Sequence, residues 1–211
     1  MIALPVDPFS ILGAVLSAIA VFRGITQPKA ENIIELMGNL DPVLELVRFS
    51  KNSHHVFHVL GDSILPNFCE SVANAKSSEF AKKKWDHVSV YCMEQVRGLI
   101  DTIPWTTVKD KETARQALDV KIVSRETRDA AERACRSSEE LTESLDGFWN
   151  IVLYLNDSLA STKLPDDFQQ RVEKMQSCAK AILACCDSLL RNSIVVLADA
   201  YDTAMAEGVR N

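Results

Sequence analysis

Apolar residues recur every seven positions in the last third of the chain, and this spacing predicts a long helix with one buried face. The residues of this seam are Phe168, Val172, Met175, Ala179, Ile182, Cys186, Leu189 and Val196. At 3.6 residues per turn they share one face, which is suited to packing against other helices. The stretch SIVVLADAY is rich in β-branched residues, but it continues the same spacing and is interpreted as helical.

Proline, glycine and capping residues divide the rest of the chain into further predicted helices. These cover about 30–49, 55–75, 78–103 and 109–160, with a turn at SKNSHH, a disturbance at Gly61 and Pro66, and an N-terminal cap at Ser77-Ser78-Glu79. The charged first half of 109–160 is expected to form a solvated amphipathic helix with supporting ion pairs, and its apolar second half, FWNIVLYLNDSLA, is expected to face the core. The prediction is one all-α domain over 1–211, a helical bundle of about five to seven helices with long C-terminal helices.

The longest uncharged stretch of the chain runs from Pro8 to Phe22. Asp7 suits an N-cap and Gly24 suits a C-terminal stop, so a helix is predicted over 8–23, ahead of a bundle formed by 24–211. The stretch is shorter than the ~20 residues of a typical membrane span, and it lacks the basic start of a secretory signal. A helix that is apolar on all sides is either buried in a core or bound to a membrane, and the sequence leaves both open.

Side chains of residues 8–23 separate by size around the predicted helix. The large ones, predicted to bind a membrane, are Phe9, Ile11, Leu12, Val15, Leu16, Ile19 and Phe22. The small ones, predicted to pack closely against another helix, include Gly13, Ala14, Ser17 and Ala18. Small residues four apart allow two helices to approach closely, so the two faces predict two different contacts.

Composition narrows the classes of function. The chain has 211 residues, 47% of them hydrophobic and 25% charged, which is typical of a globular protein. Its net charge of −6 disfavours nucleic acid as a partner. Six cysteines are scattered, and two of them, Cys185 and Cys186, are adjacent. We therefore expect reduced thiols in a reducing compartment rather than a disulfide framework.

Motifs of catalysis are absent from the sequence: there is no phosphate loop, dinucleotide fingerprint or nucleophile elbow. His54 and His58 would share a helix face and have the spacing of metal ligands, but no third ligand is implied, so a surface or core pair is favoured. Asp166 and Asp167 are interpreted as caps of the last helix. No catalytic residue, metal site, cofactor or small-molecule substrate is predicted.

One basic cluster, Lys82, Lys83 and Lys84, lies next to Trp85. Lysines beside a tryptophan suit an anionic lipid surface, which makes the three lysines weak candidates for binding lipid headgroups. The alternative, which we favour, is a solvated helix face with Trp85 turned inward.

The segment DPFSILGAVLSAIAVF, Asp7 to Phe22, resembles the opening of many fungal proteins of the heterokaryon incompatibility and NOD-like-receptor type. Those proteins commonly start with Met-Asp-Pro-Phe-Ser, followed by an apolar helix rich in glycine and alanine, and their HeLo, HeLo-like and SesA-type domains are helical bundles. The resemblance covers sixteen residues, and this chain differs in having Met1 to Val6 before the Asp-Pro pair.

This resemblance implies a role in programmed cell death or innate immunity through membrane targeting by the N-terminal helix. It also implies a cytoplasmic protein that relocates to the membrane on activation, with membrane lipid and either a regulatory protein or oligomerisation as partners. Two alternatives remain open: a soluble adaptor or scaffold that binds partner helices through an exposed seam, and a small helical enzyme whose site the sequence does not show.

Overall fold

A computed structural model of the protein describes residues 41–73, 77–102, 124–160 and 164–208, and every regular element among them is helical. The helices are α1 Asp41–Val59, α2 Leu65–Val72, α3 Ser78–Tyr91, α4 Arg97–Thr102, α5 Arg125–Ser158 and α6 Phe168–Gly208. Two π-helical turns, Leu60–Ile64 and Cys92–Val96, join α1 to α2 and α3 to α4. The prediction of an all-α bundle with long C-terminal helices is confirmed.

The first π turn has a cause in the sequence. Pro66 has no N–H to donate, and its ring would clash with the carbonyl of Asp62 in a regular α-helix. The wider turn resolves this conflict, because the Leu65 N–H bonds to Leu60 O five residues back instead of four. The expected disturbance at Gly61 and Pro66 is therefore a local widening, and the helix continues through it.

The predicted turn at SKNSHH was wrong, because α1 continues through this segment. Ser50 and Ser53 are both fully buried and lie in the core-facing register of Leu46 and Phe57. Serine is common in turns because its side chain competes for backbone hydrogen bonds, but here two serines occupy interior positions of a helix.

Helix α3 begins where the sequence predicted. Ser77 has an extended backbone, and its Oγ accepts a hydrogen bond from the Phe80 N–H at 3.3 Å. This N-cap satisfies one of the four N–H groups that a helix leaves unpaired at its start. The start of α5 is capped similarly, since the Thr127 N–H donates to Ser124 Oγ at 3.1 Å.

The described residues group into two compact units, and both α5 and α6 contribute to each of them. The first unit holds 41–50, 124–139 and 187–208, and the second holds 51–73, 77–102, 140–160 and 164–186. All eight seam residues of α6 are buried, so the predicted seam is confirmed. That 1–211 form a single domain stays a prediction.

In the first unit, α5 and α6 run antiparallel and are joined by polar side chains. The pairs are Thr127–Asp199, Arg133–Asn192 and Ser137–Ser188, at donor–acceptor distances of 2.9, 3.0 and 2.7 Å. Most of the buried side chains are small or polar: Ser50, Thr127, Ala130, Ala131, Ala134, Cys135, Ser137, Ser193, Ala200 and Thr203. Among the described residues, only Leu46, Leu189 and Val196 add large apolar side chains to this interior.

In the second unit, the interior is built from large side chains. The rings of Phe57 and Phe148 meet edge to face with centroids 5.1 Å apart, and those of Phe68 and Trp85 lie 5.5 Å apart. Trp85 Nε1 donates to Asn156 Oδ1 at 2.7 Å, which satisfies the one polar group of its buried indole. The expectation that the apolar half of α5 faces the core is confirmed, because Phe148, Ile151, Val152 and Leu155 are buried.

Candidate membrane and partner surfaces

The two sets of site residues predicted in the N-terminal helix lie outside the described residues. The predicted membrane-binding set is Phe9, Ile11, Leu12, Val15, Leu16, Ile19 and Phe22, and the predicted helix-packing set is Gly13, Ala14, Ser17 and Ala18. Both assignments therefore stay predictions.

The predicted basic cluster lies on the solvent face of α3. Lys82, Lys83 and Lys84 are exposed, whereas Trp85 is only 2% exposed and is turned into the second unit. The inward orientation of Trp85 is thus confirmed, and the indole is not available to a membrane surface. The lysines remain accessible to an anionic surface without it.

The aromatic ring that lies beside the lysines on the exposed face of α3 is that of Phe80, not that of Trp85. Phe80 is 45% exposed, and the Lys84 ammonium lies 5.8 Å from the centroid of its ring. This is the geometry of a cation–π contact. Two exposed acids, Glu79 and Asp86, flank the three lysines, so the local excess of positive charge is small.

Helix α6 has a second surface that the sequence analysis missed. In the first unit its outward face carries Asp187, Arg191, Ile194, Ala198 and Tyr201, at spacings of three and four residues. Ile194 and Tyr201 are each 55% exposed. The burial of the seam on the opposite face means that a partner helix would have to use this outward face instead.

Among the described residues, α6 is also the one helix long and apolar enough to cross a membrane by length and composition, over Phe168–Thr203. Only 28% of its most apolar window is buried. Because the core helix of a soluble protein passes the same test, this finding allows membrane association only weakly. The apolar character of this helix is visible in the sequence, where Asp187 and Arg191 are the only charged residues between Ala181 and Ala198.

All six cysteines are free thiols, and four of them are buried. Burial raises the pKa of Cys92 to about 12, and burial together with the Glu140 carboxylate raises the pKa of Cys185 to about 11. Burial also raises the pKa of Cys69 and Cys178. Thiols of this kind hold their proton at neutral pH and are poor nucleophiles.

Of the polar residues considered as chemical sites, Asp167 already has two hydrogen-bond partners. Asp167 Oδ1 accepts from Tyr154 Oη at 2.7 Å, and its Oδ2 accepts from Arg171 Nε at 2.8 Å, just before the start of α6. On α1, His58 is exposed and His54 is half-buried. No group of three or more His, Cys, Asp or Glu side chains in the described ranges is placed to enclose a metal ion.

Comparisons with known proteins give no match: no family model, no curated protein and no solved structure is similar to this chain. The likeness of Asp7–Phe22 to fungal cell-death proteins therefore rests on the sequence motif alone.

Proposed function

We propose that this chain is a non-enzymatic helical-bundle domain that acts on membranes in programmed cell death or innate-immune-type signalling. Residues 8–23 are its membrane element. The observation that carries the proposal is the uncharged run Pro8–Phe22, with its large side chains gathered on one face and an opening that resembles fungal incompatibility proteins. The all-α architecture of the described residues supports it, because the domains of that family are helical bundles.

The energetics of such a helix suit a reversible switch. Burial in lipid gains about 25 cal/mol per Å² of apolar area, so the seven large side chains supply several kcal/mol, enough for an interfacial helix. Leaving the bundle forfeits contacts of similar size. The two states are then close in energy, and a regulatory protein or a second copy of the chain tips the balance. In this scheme the protein is cytoplasmic at rest and relocates to the membrane on activation.

The lysines of α3 play a supporting part. A basic residue near an anionic membrane surface is worth roughly 1 kcal/mol, but Glu79 and Asp86 offset part of this contribution. Replacing Lys82, Lys83 and Lys84 with Gln is therefore expected to weaken binding to anionic vesicles while leaving binding to neutral vesicles unchanged. Liposome sedimentation at low and high salt measures both.

The proposal is tested by liposome sedimentation and dye leakage with the intact chain, a chain lacking 1–23, and Leu16→Glu. A carboxylate on the large face is costly in hydrocarbon, so both variants are expected to lose binding and leakage. Ser17→Glu is the matched control: it adds the same charge one residue along, on the small face, and is expected to keep lipid binding. Circular dichroism checks that each variant folds.

Two results would contradict the proposal. Equal binding and leakage by the intact chain, the truncated chain and Leu16→Glu would show that residues 8–23 are not the membrane element. Failure of the truncated chain to fold would show that they belong to the core.

A second function, a soluble adaptor that binds partner helices, is favoured by one observation: Ile194 and Tyr201 are exposed along the outward face of α6. Ile194→Glu separates the two functions. It is expected to leave lipid binding by residues 8–23 intact, and to abolish self-association or helix binding only if α6 carries the partner site.

A further inference from the structure

Helix α3, the second π turn and α4 follow one another without a break, and their solvent side carries a line of charged and apolar residues. This line, the α3 stripe, consists of Glu79, Lys83, His87, Val90, Glu94 and Arg97, which are all exposed. Their spacings of three and four residues place them on one side of a helix. The other side is buried in the second unit through Ala81, Trp85 and Val88, so the α3 stripe is the side that a partner can reach.

The middle of the α3 stripe is apolar. Val90 is 57% exposed, and Met93, three residues further along the same helical run, is 37% exposed. Phe80 lies near the start of the run and is also exposed. Three of the eight large apolar side chains that are exposed among the described residues therefore lie on this run. Exposed apolar side chains that gather in one place mark a site of association.

The charges of the α3 stripe indicate which partner fits it. Along the chain their signs alternate: Glu79 is negative, Lys83 positive, Glu94 negative and Arg97 positive. A second copy of α3 that runs in the opposite direction places Lys83 opposite Glu94 and Glu79 opposite Arg97. One register satisfies both pairs, because the midpoint of 83 and 94 lies between 88 and 89 and the midpoint of 79 and 97 is 88. A copy that runs in the same direction would instead place each charge against its own kind.

We propose that two copies of this chain associate through the α3 stripe as an antiparallel dimer with two-fold symmetry. Val90 lies next to the symmetry axis and packs against His87 and Val90 of the second copy. Every contact of such an interface occurs twice, so two Lys83–Glu94 pairs flank the apolar centre. This surface is separate from residues 8–23, and the inference goes beyond the proposed membrane function and does not depend on it.

The strength of this dimer follows from its size and its charges. One pair of helices buries less than the ~1,200 Å² at which standard interfaces begin, so the dimer forms and dissociates with concentration. Salt screens ion pairs between exposed groups, so association is expected to weaken as the ionic strength rises. Arg97 is also paired with Asp101, at 3.8 Å, within its own helix. The Lys83–Glu94 pair is therefore the sharper one to test.

The test is sedimentation equilibrium of the full chain, kept reduced and free of lipid, over a range of concentrations at low salt. Lys83→Glu and Glu94→Lys each place like charges opposite one another twice, and each is expected to weaken the dimer at least about tenfold. An equimolar mixture of the two variants is expected to regain the affinity of the unmodified chain, because every substituted position then faces an opposite charge. Lys84→Glu is the matched control: it makes the same change of charge one residue outside the α3 stripe and is expected to alter the affinity less than about twofold.

Four results would overturn the proposal. A chain that stays monomeric at every concentration has no such dimer, and a mixture that does not recover excludes the antiparallel pairing. An equal loss in Lys84→Glu would mean a general effect of charge, and loss of the dimer in Ile194→Glu would place the interface on α6. Circular dichroism verifies that these surface variants fold. Because no lipid is present, these outcomes are distinct from any failure of residues 8–23 to bind a membrane.

Discussion

The two units use the same pair of helices, α5 and α6, but fill their interiors in different ways. Large aromatic and aliphatic side chains, among them Phe57, Trp85 and Phe148, fill the second unit. Serine, threonine and alanine dominate the described interior of the first unit, and polar pairs such as Thr127–Asp199 join its helices. Two of its buried polar atoms, Arg128 Nε and Ser193 Oγ, have no hydrogen-bond partner among the described residues.

This difference indicates where the stability lies. Burying one large apolar side chain stabilises a protein by about 1.5–3 kcal/mol, whereas a neutral hydrogen bond contributes a net ~0.5–1.5 kcal/mol. We therefore expect the second unit to be the stable part and the first unit to open at lower cost. The polar pairs contribute specificity instead, because they fix which residues of α5 and α6 face one another.

Two alanine substitutions in the same seam test this expectation most strongly. Ile182 and Leu189 are both fully buried, seven residues apart on α6, but they belong to different units. Cavity costs range over ~2–5 kcal/mol according to how well a site collapses. In the unit whose interior holds the large side chains, Ile182→Ala is expected to cost about 4 kcal/mol, and in the unit whose described interior is mostly small, Leu189→Ala is expected to cost about 2 kcal/mol. Chemical denaturation measures both.

The control is Ile194→Ala, on the outward face of the same helix, which is expected to change stability by less than about 0.5 kcal/mol. If Leu189→Ala cost as much as Ile182→Ala, the first unit would be packed as tightly as the second. Costs below about 0.5 kcal/mol at both seam positions would mean that the seam faces solvent.

Hydrogen exchange gives the same comparison without a mutation. Amides of a less stable unit exchange through local openings of lower free energy than global unfolding. We expect amides of 127–137 to open at least about 1 kcal/mol more easily than those of 145–155, although both segments belong to α5. Uniform protection along α5 would remove the distinction between the units.

Residue spacing predicted the α6 seam correctly because a seven-residue repeat depends only on helix geometry. The cap at Ser77 and the disturbance at Pro66 were also predictable, since each is a local property of one residue type. The misplaced turn at SKNSHH shows the opposite case. Polar residues in a helix interior, Ser50 and Ser53, resemble a loop when only composition is considered.

Other features depend on contacts between distant residues. The second π turn, Cys92–Val96, contains no proline, and nothing local in the sequence indicated it. Nearby, Tyr91 Oη donates to the carbonyl of Val56 at 3.0 Å, a contact that no sequence pattern reveals. Charged residues dominate the stretch around Ala130 and Ala134, so the sequence predicted an amphipathic helix there without indicating which residues form its buried face; both alanines are fully buried.

Two serines of the first unit allow a finer comparison between polar groups that have partners and those that do not. Ser137 Oγ donates to Ser188 Oγ at 2.7 Å, so Ser137→Ala is expected to cost about 1 kcal/mol. Ser193 is fully buried and its hydroxyl is unpaired among the described residues, so Ser193→Ala is expected to stabilise by about 1 kcal/mol. Thermal unfolding of both variants checks the opposite signs; a loss of stability in Ser193→Ala would mean that its hydroxyl has a partner after all.

The smallest effect is expected in the polar cluster of the second unit, where Tyr154 and Arg171 meet at Asp167. Hydrogen bonds from Tyr154 and from Arg171 lower the pKa of the Asp167 carboxyl below its ordinary value of 3.8. Because the pKa of Asp167 is lower in the folded state, the ionised carboxylate stabilises the folded protein fully at pH values above its ordinary pKa of 3.8. This stabilisation is lost as the pH falls through the folded-state pKa. Unfolding midpoints measured from neutral pH to below 3.8 are therefore expected to fall less steeply in Asp167→Asn than in the unmodified chain.

Asp166→Asn is the control, because Asp166 makes no hydrogen bond among the described residues, and an equal flattening in that variant would contradict the assignment to Asp167. Since the cluster is half-buried and partly open to solvent, solvent screens it, and polar contacts there are expected to matter less than those inside the first unit.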